Sequence, residues 1–145
     1  DWSSDVCSSD LANLMKVLLS IDNSKGILDR IFKMIQGISG VDPVSTLIKV
    51  KEITESVRCL QPDLLVVDLY LMDGTVVDVI KEMGSLQKKP VVMVLTEQPY
   101  ADIEKHLKMA GADVVLNKSL EFELIVKILS RLSEKHKENP QQLNL

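Results

Sequence analysis

Short apolar runs alternate with helix-length amphipathic segments five times along this 145-residue chain. Four of the runs end in a polar side chain: VLLSI before Asp22, LLVV before Asp68, VVMVL before Thr96 and DVVLN before Lys118. Near-continuous apolar runs of this length read as strands buried on both faces, as in a parallel sheet. In an open α/β sheet the ligand crevice lies outside the carboxyl ends of the strands. Two carboxylates, a hydroxyl and an ammonium, far apart in sequence, are thereby expected to meet at one site. Such a set suits a hard cation together with a phosphoryl group.

The alternation predicts strand one over 16–21 and helix one over 25–37, with Ile27, Leu28, Ile31, Phe32 and Ile35 on one face. Strand two follows at 43–50. Helix two carries Ile53, Val57 and Leu60 and stops before Pro62. Strand three is 63–68, and helix three starts near Thr75, where Thr75 and Asp78 have capping-box spacing, and runs to about Leu86. Strand four is 91–95, and helix four opens at Pro99 and ends near Gly111. Strand five is 113–116, and helix five runs from a Ser119 cap through Leu120, Leu124, Ile125, Ile128, Leu129 and Leu132. This order implies an α/β, flavodoxin-like (βα)5 doubly wound parallel sheet with strand order 2-1-3-4-5 and right-handed crossovers.

The first residues stand apart. DWSSDVCSSDL lacks periodicity and resembles a translated sequencing-adapter scar, so 1–10 is set aside as a non-native or disordered arm, with Met15 the expected natural start. Residues 11–132 are expected to form one domain, and 133–145 (SEKHKENPQQLNL) a polar tail that frays beyond the last helix. The apolar fraction of 46% can fill a core, and the 3% aromatic fraction makes that core aliphatic. Without Asp1, Asp5 and Asp10, 17 basic residues face 18 acidic ones, a net of −1 that exerts no electrostatic pull on nucleic acid. Cys7 falls in the excluded stretch. Cys59 is then alone, is read as a small core or boundary residue, and fits a reducing cytoplasm. No apolar run approaches the roughly 18–20 residues of a membrane helix. His106 and His136 lie among charged residues and are expected to face solvent.

The segments LLSIDN, PDLLVVD, VLT and AGADVVLNKS stand in order at strand ends, with Thr96 and Lys118 22 residues apart. Together they resemble the receiver domain of two-component response regulators over about residues 15–132. The resemblance implies a phosphorelay switch, not a conventional enzyme, that at most assists its own phosphorylation and dephosphorylation. Asp68 would be the nucleophile, taking a phosphoryl group from a phosphohistidine on a sensor histidine kinase or phosphotransfer protein. Asp22, Asn23, Asp68 and the carbonyl of Tyr70 would hold Mg2+, an ion that prefers oxygen ligands and keeps several waters. Lys118 would stabilise the transferring group from the other side, and Thr96 would bond a phosphoryl oxygen and move with it. The implied partner or homodimer surface is the helix four–strand five–helix five face. The implied protein is cytoplasmic, with no membrane attachment and no direct nucleic-acid contact in this domain.

Several positions depart from the family pattern. Asn23 replaces the second of two adjacent acids, and at about 4 Å one such charge is worth roughly 1–4 kcal/mol, so weaker Mg2+ binding is expected. The loop LYLMDG is short and lacks the customary proline, and Tyr70 is placed to roof the site. Glu97 follows Thr96 where a small residue is usual, Val115 stands where an aromatic switch residue is common, and Ser119 replaces a frequent proline. These departures keep a second reading open, a phosphorylation-independent interaction module. A flavodoxin-like cofactor-binding domain is a third, disfavoured because DNSKG after strand one is no Gly-rich phosphate turn. Asp73-Gly74-Thr75 resembles the end of a haloacid-dehalogenase loop, but Leu71 stands where that motif needs an acid.

Overall fold

Five parallel strands build the sheet: β1 (Met15–Ser20), β2 (Val41–Ser45), β3 (Leu64–Asp68), β4 (Val91–Thr96) and β5 (Val114–Asn117). Their order across it is β2-β1-β3-β4-β5, the doubly wound arrangement expected from the alternation. Between them run α1 (Ile27–Gln36), α2 (Val50–Leu60), α3 (Val76–Glu82) and α4 (Ala101–Ala110), with α5 (Phe122–Glu138) last. A small hairpin, Tyr70–Leu71 against Gly74–Thr75, separates β3 from α3. The computed structural model describes residues 14–97, 101–118 and 121–139. Pro99, Ser119 and Leu120, expected at helix starts, lie outside them.

The two-residue period of the strands divides the core into two layers. Val17, Leu19, Leu64, Val66, Met93 and Leu95 face Ile31 and Ile35 of α1 and Ile125 and Leu129 of α5. Their neighbours Leu18, Leu65, Val67, Val92 and Val94 face Ile53 and Val57 of α2, Val79 of α3 and Leu107 of α4. Helices on both faces leave β1, β3 and β4 no solvent side, which is why those runs are apolar throughout. β2 lies at the sheet edge, where Pro43, in register with Val17, can lack an N–H without breaking a second ladder.

Side chains finish the elements at places where propensity alone misjudges them. The run read as strand two breaks early because the hairpin claims its second half. Met72 N–H bonds the Ile48 carbonyl at 2.8 Å, and Asp73 Oδ1 accepts the Val50 N–H at 2.8 Å, capping α2 from across the chain. The Thr75–Asp78 capping box is present, with Asp78 accepting the Thr75 N–H at 3.0 Å. It starts α3, which ends sooner than expected, at Glu82, and passes into a 3-10 turn.

At the opposite end of the sheet from the strand carboxyl termini, α5 outruns the expected stop at Leu132 and continues to Glu138. Ser133 Oγ donates to the Ser39 carbonyl at 2.9 Å. His136 is buried, not solvent-facing, with Nε2 3.5 Å from Asp63 Oδ2, a pair that carries full charge only when the imidazole is protonated. Asp63 also accepts the Lys16 N–H at 2.9 Å and pairs with Lys88 at 3.1 Å. The apparent polar tail therefore contributes two buried side chains to the fold. Leu124 is 39% exposed, and Cys59, read as a small core or boundary residue, is exposed on α2. Among the described residues no helix is long and apolar enough to cross a membrane.

Ile31 is fully buried between α1 and the sheet. Ile31→Ala is expected to cost about 2–5 kcal/mol, since lost burial and the residual cavity add. Urea unfolding should show a lower midpoint at unchanged slope.

Candidate functional site

The parallel register brings the polar strand ends together. Asp68 closes β3 opposite Leu95, and Thr96 closes β4 opposite Asn117. One further rung, Lys118 N–H to the Thr96 carbonyl at 2.9 Å, carries the ladder past β5 and holds Lys118 beside β4. Its side chain then turns inward, and Nζ meets Asp68 Oδ2 at 2.9 Å with the two side chains only 11% and 7% exposed. The Asp22 N–H reaches the same oxygen at 2.9 Å. Asp68 Oδ1 is buried and has no hydrogen-bond partner among the described residues. One oxygen of this carboxylate is thus fixed by two donors, and the other is open.

Environment separates the two aspartates. Burial pushes the Asp68 carboxyl above its ordinary range, against the opposing pull of the Asp22 N–H and the Lys118 ammonium. Asp22 is drawn below its ordinary value, first by the Ser24 hydroxyl and then by the Ser24 N–H, with smaller contributions from Lys118 and Lys25. Ser24 N–H lies 3.1 Å from Asp22 Oδ1 and Ser24 Oγ lies 3.0 Å from Oδ2. Asp22 therefore ionises readily at the cleft lip while Asp68 sits deeper.

Asn23 is turned away from the other oxygens. Its Oδ1 accepts the Asp29 N–H at 3.1 Å and its Nδ2 donates to the Asp29 carboxylate at 3.0 Å, so it caps the first turn of α1. The residue preceding that helix, Gly26, has φ +71, a left-handed turn that glycine takes without strain. Asp22, Asp68, Tyr70, Thr96, Glu97 and Lys118 share a cleft of about 450 Å3. Ile48, Leu71 and Met72 give it an apolar wall. Tyr70 is 71% exposed and stands at the rim instead of covering the floor. Thr96 is buried, and Val115 is buried in the layer beneath α4. Among the described residues no group of three or more His, Cys, Asp or Glu side chains is arranged to hold a metal. The side-chain oxygens lining the cleft are the carboxylates of Asp22, Asp68 and Glu97 and the hydroxyls of Tyr70 and Thr96.

Three contributors escaped the sequence reading. Ser24 orders Asp22, and an acid followed two residues later by a hydroxyl is a recognisable turn signal. Asp73 caps α2, and Lys25 pairs with Glu97 at 3.1 Å; both act on partners distant in sequence.

The family model of the response regulator receiver domain matches residues 18–130, and the chain belongs to that family. Sequence comparison with curated proteins returns no match. The non-phosphorylated receiver domain of the stress response regulator RcsB from Escherichia coli is similar, with TM-score 0.72 and 20% identity over 85% of this chain and 95% of that one. A CheY-like receiver domain protein from Methanospirillum hungatei is similar with TM-score 0.69 and 20% identity, over 87% and 99% of the two chains. RcsB dimers bound to DNA are matched with TM-score 0.71 and 20% identity over 85% of this chain, which spans 62% of the RcsB chain.

In EDTA, a carbon-detected NMR titration is expected to find the Asp68 carboxyl ionising at higher pH than an ordinary aspartate and Asp22 at lower pH. Because the folded-state value of Asp68 is raised, its ionisation opposes folding, and this cost disappears as pH falls through that value. Coincident titration of both groups at the unperturbed position would contradict the geometry.

Proposed function

We propose that Asp68 accepts a phosphoryl group and that the chain works as an aspartyl-phosphate switch. The observation that carries this reading is a buried carboxylate lining the cleft, with one oxygen anchored by two donors and the other left without a partner among the described residues. One Asp68 oxygen attacks phosphorus while the bond from phosphorus to the donor's leaving atom breaks. That atom, an imidazole nitrogen of phosphohistidine or the acyl oxygen of acetyl phosphate, departs with the electron pair. Lys118 and the Asp22 N–H hold the carboxylate in place and offset its charge. Thr96, at the end of β4, donates its hydroxyl to a phosphoryl oxygen.

The donor set fits Mg2+, because the carboxylates of Asp22 and Asp68 and the Tyr70 carbonyl are hard oxygen ligands and this ion retains waters. Bound there, Mg2+ would neutralise charge developing on the transferring group. Asn23 would join that set through its amide oxygen, which here also accepts the Asp29 N–H. The physiological donor is a sensor histidine kinase or phosphotransfer protein in the cytoplasm. The face formed by α4, β5 and α5 passes the change to a partner or a second copy. With Val115 in place of an aromatic, Thr96 has no ring to draw inward, so the change travels through backbone bonds.

Intact-mass spectrometry after treatment with acetyl phosphate tests this directly. The expected result is a Mg2+-dependent gain of one phosphoryl group that Asp68→Asn abolishes. No gain, under conditions that modify a known receiver, would instead support a phosphorylation-independent module.

Asn23→Asp should separate two effects. The added charge is expected to lower the Mg2+ concentration at half-maximal labelling about fivefold or more. Placing a second carboxylate against Asp29 and losing the amide donor should cost about 1 kcal/mol of stability, read by denaturant unfolding.

A further inference from the structure

Lys25 Nζ lies 3.1 Å from Glu97 Oε1, joining the loop after β1 to the loop after β4. At 67% and 53% exposure this pair adds little to stability, so its meaning is not that of a staple. Its position is more telling. Glu97 lines the same cleft as Asp68 and Lys118. Lys25 is three residues past Asp22, whose N–H bonds Asp68, and its charge is felt at the Asp22 carboxylate. The backbone around it is fixed by Gly26 N–H to the Asn23 carbonyl at 3.0 Å and by the two Ser24 bonds to Asp22. This hydrogen-bonded turn thus carries a solvent-exposed ammonium against Glu97, which lines the cleft.

We propose that Lys25 is a second phosphoryl-binding cation, held by Glu97 in the unmodified chain and passed to the phosphoryl oxygens when Asp68 is modified. The proposal rests on the phosphoacceptor reading of Asp68. A phosphoryl group brings close to two negative charges and three acceptor oxygens into a cleft that already holds Asp22 and Glu97. At equal distance it attracts an ammonium about twice as strongly as one carboxylate does. It also repels Glu97, weakening the original pair from its other side. Lys118 is already committed to Asp68 Oδ2, and Asn23 adds no charge for the metal. Lysine is suited to the exchange, with three donors on a four-carbon stem that pivots without moving the backbone.

The test compares the native chain with Lys25→Met, Lys25→Arg, Glu97→Gln and the Lys25→Met/Glu97→Gln double variant. The readouts are acetyl phosphate labelling rate at saturating Mg2+ and beryllofluoride affinity by fluorine NMR. Lys25→Met is expected to slow labelling and weaken beryllofluoride binding about fivefold, the scale of one exposed charge pair. The loss should persist in the Glu97→Gln background, and Lys25→Arg should restore most of it. A loss that vanishes in the Glu97→Gln background would mean that Lys25 only masks Glu97, and the proposal fails. No effect of Lys25→Met in either background overturns it equally. Failure of the native chain to take up either phosphoryl or beryllofluoride would remove the phosphoacceptor reading itself, an outcome separable from both.

Discussion

The site depends on one oxygen, Asp68 Oδ2, taking two hydrogen bonds from residues far apart in sequence that the sheet brings together. The Asp22 N–H comes from the end of β1 and the Lys118 ammonium from the end of β5, each at 2.9 Å. Removing either charge of a buried pair leaves the other desolvated and uncompensated, at a cost of about 3–5 kcal/mol where burial is complete. Lys118 and Asp68 are close to that limit. The pair therefore fixes the carboxyl ends of β3, β4 and β5 relative to one another, and the open oxygen inherits a definite direction from it. Reactivity and local order share the same two bonds.

Around this fixed centre the loops are arranged by side chains that bind backbone. Asp22 accepts the Ser24 N–H, Asn23 accepts the Asp29 N–H in the first turn of α1, and Asp73 accepts the Val50 N–H at the start of α2. Each satisfies an orphan donor at a turn or helix start, which water would otherwise have to reach. The hairpin from Tyr70 to Thr75 has a double role here. It presents Tyr70 at the rim, and through Asp73 and Met72 it ties the cleft wall to α2. A short loop without proline can do this because its own turn is braced by a neighbouring helix.

The strand pattern was legible because burial on both faces leaves few alternatives to apolar residues, and the polar ends of those runs marked the cleft. Asp68 and Lys118 were placed by that logic alone. Contacts made by side chains across long sequence separations were not legible. Strand two looked longer than it is because VSTLIKV is apolar enough to be a strand, and its second half is instead bonded by Met72 and Asp73, more than 20 residues away. His136 looked solvated because its neighbours are Lys135 and Lys137, yet at helical period it shares a face with Leu129 and Leu132 and reaches Asp63. Asn23 was expected among the Mg2+ ligands, and its side chain also makes two bonds to Asp29 that the sequence did not reveal.

Hydrogen bonds join Thr96 and Glu97 to the end of β5. The Thr96 carbonyl accepts the Lys118 N–H at 2.9 Å, and the Glu97 carbonyl accepts Asn117 Nδ2 at 3.1 Å. Asn117 is in turn held from α5, because its own N–H donates to Glu121 Oε1 at 2.9 Å. The loop after β4, the end of β5 and the first turn of α5 are therefore linked by three successive hydrogen bonds. Displacing Thr96 pulls on Lys118, the same residue whose ammonium neutralises Asp68. Asp68 and the start of α5 are thus linked through Lys118 and Asn117, which are adjacent in sequence.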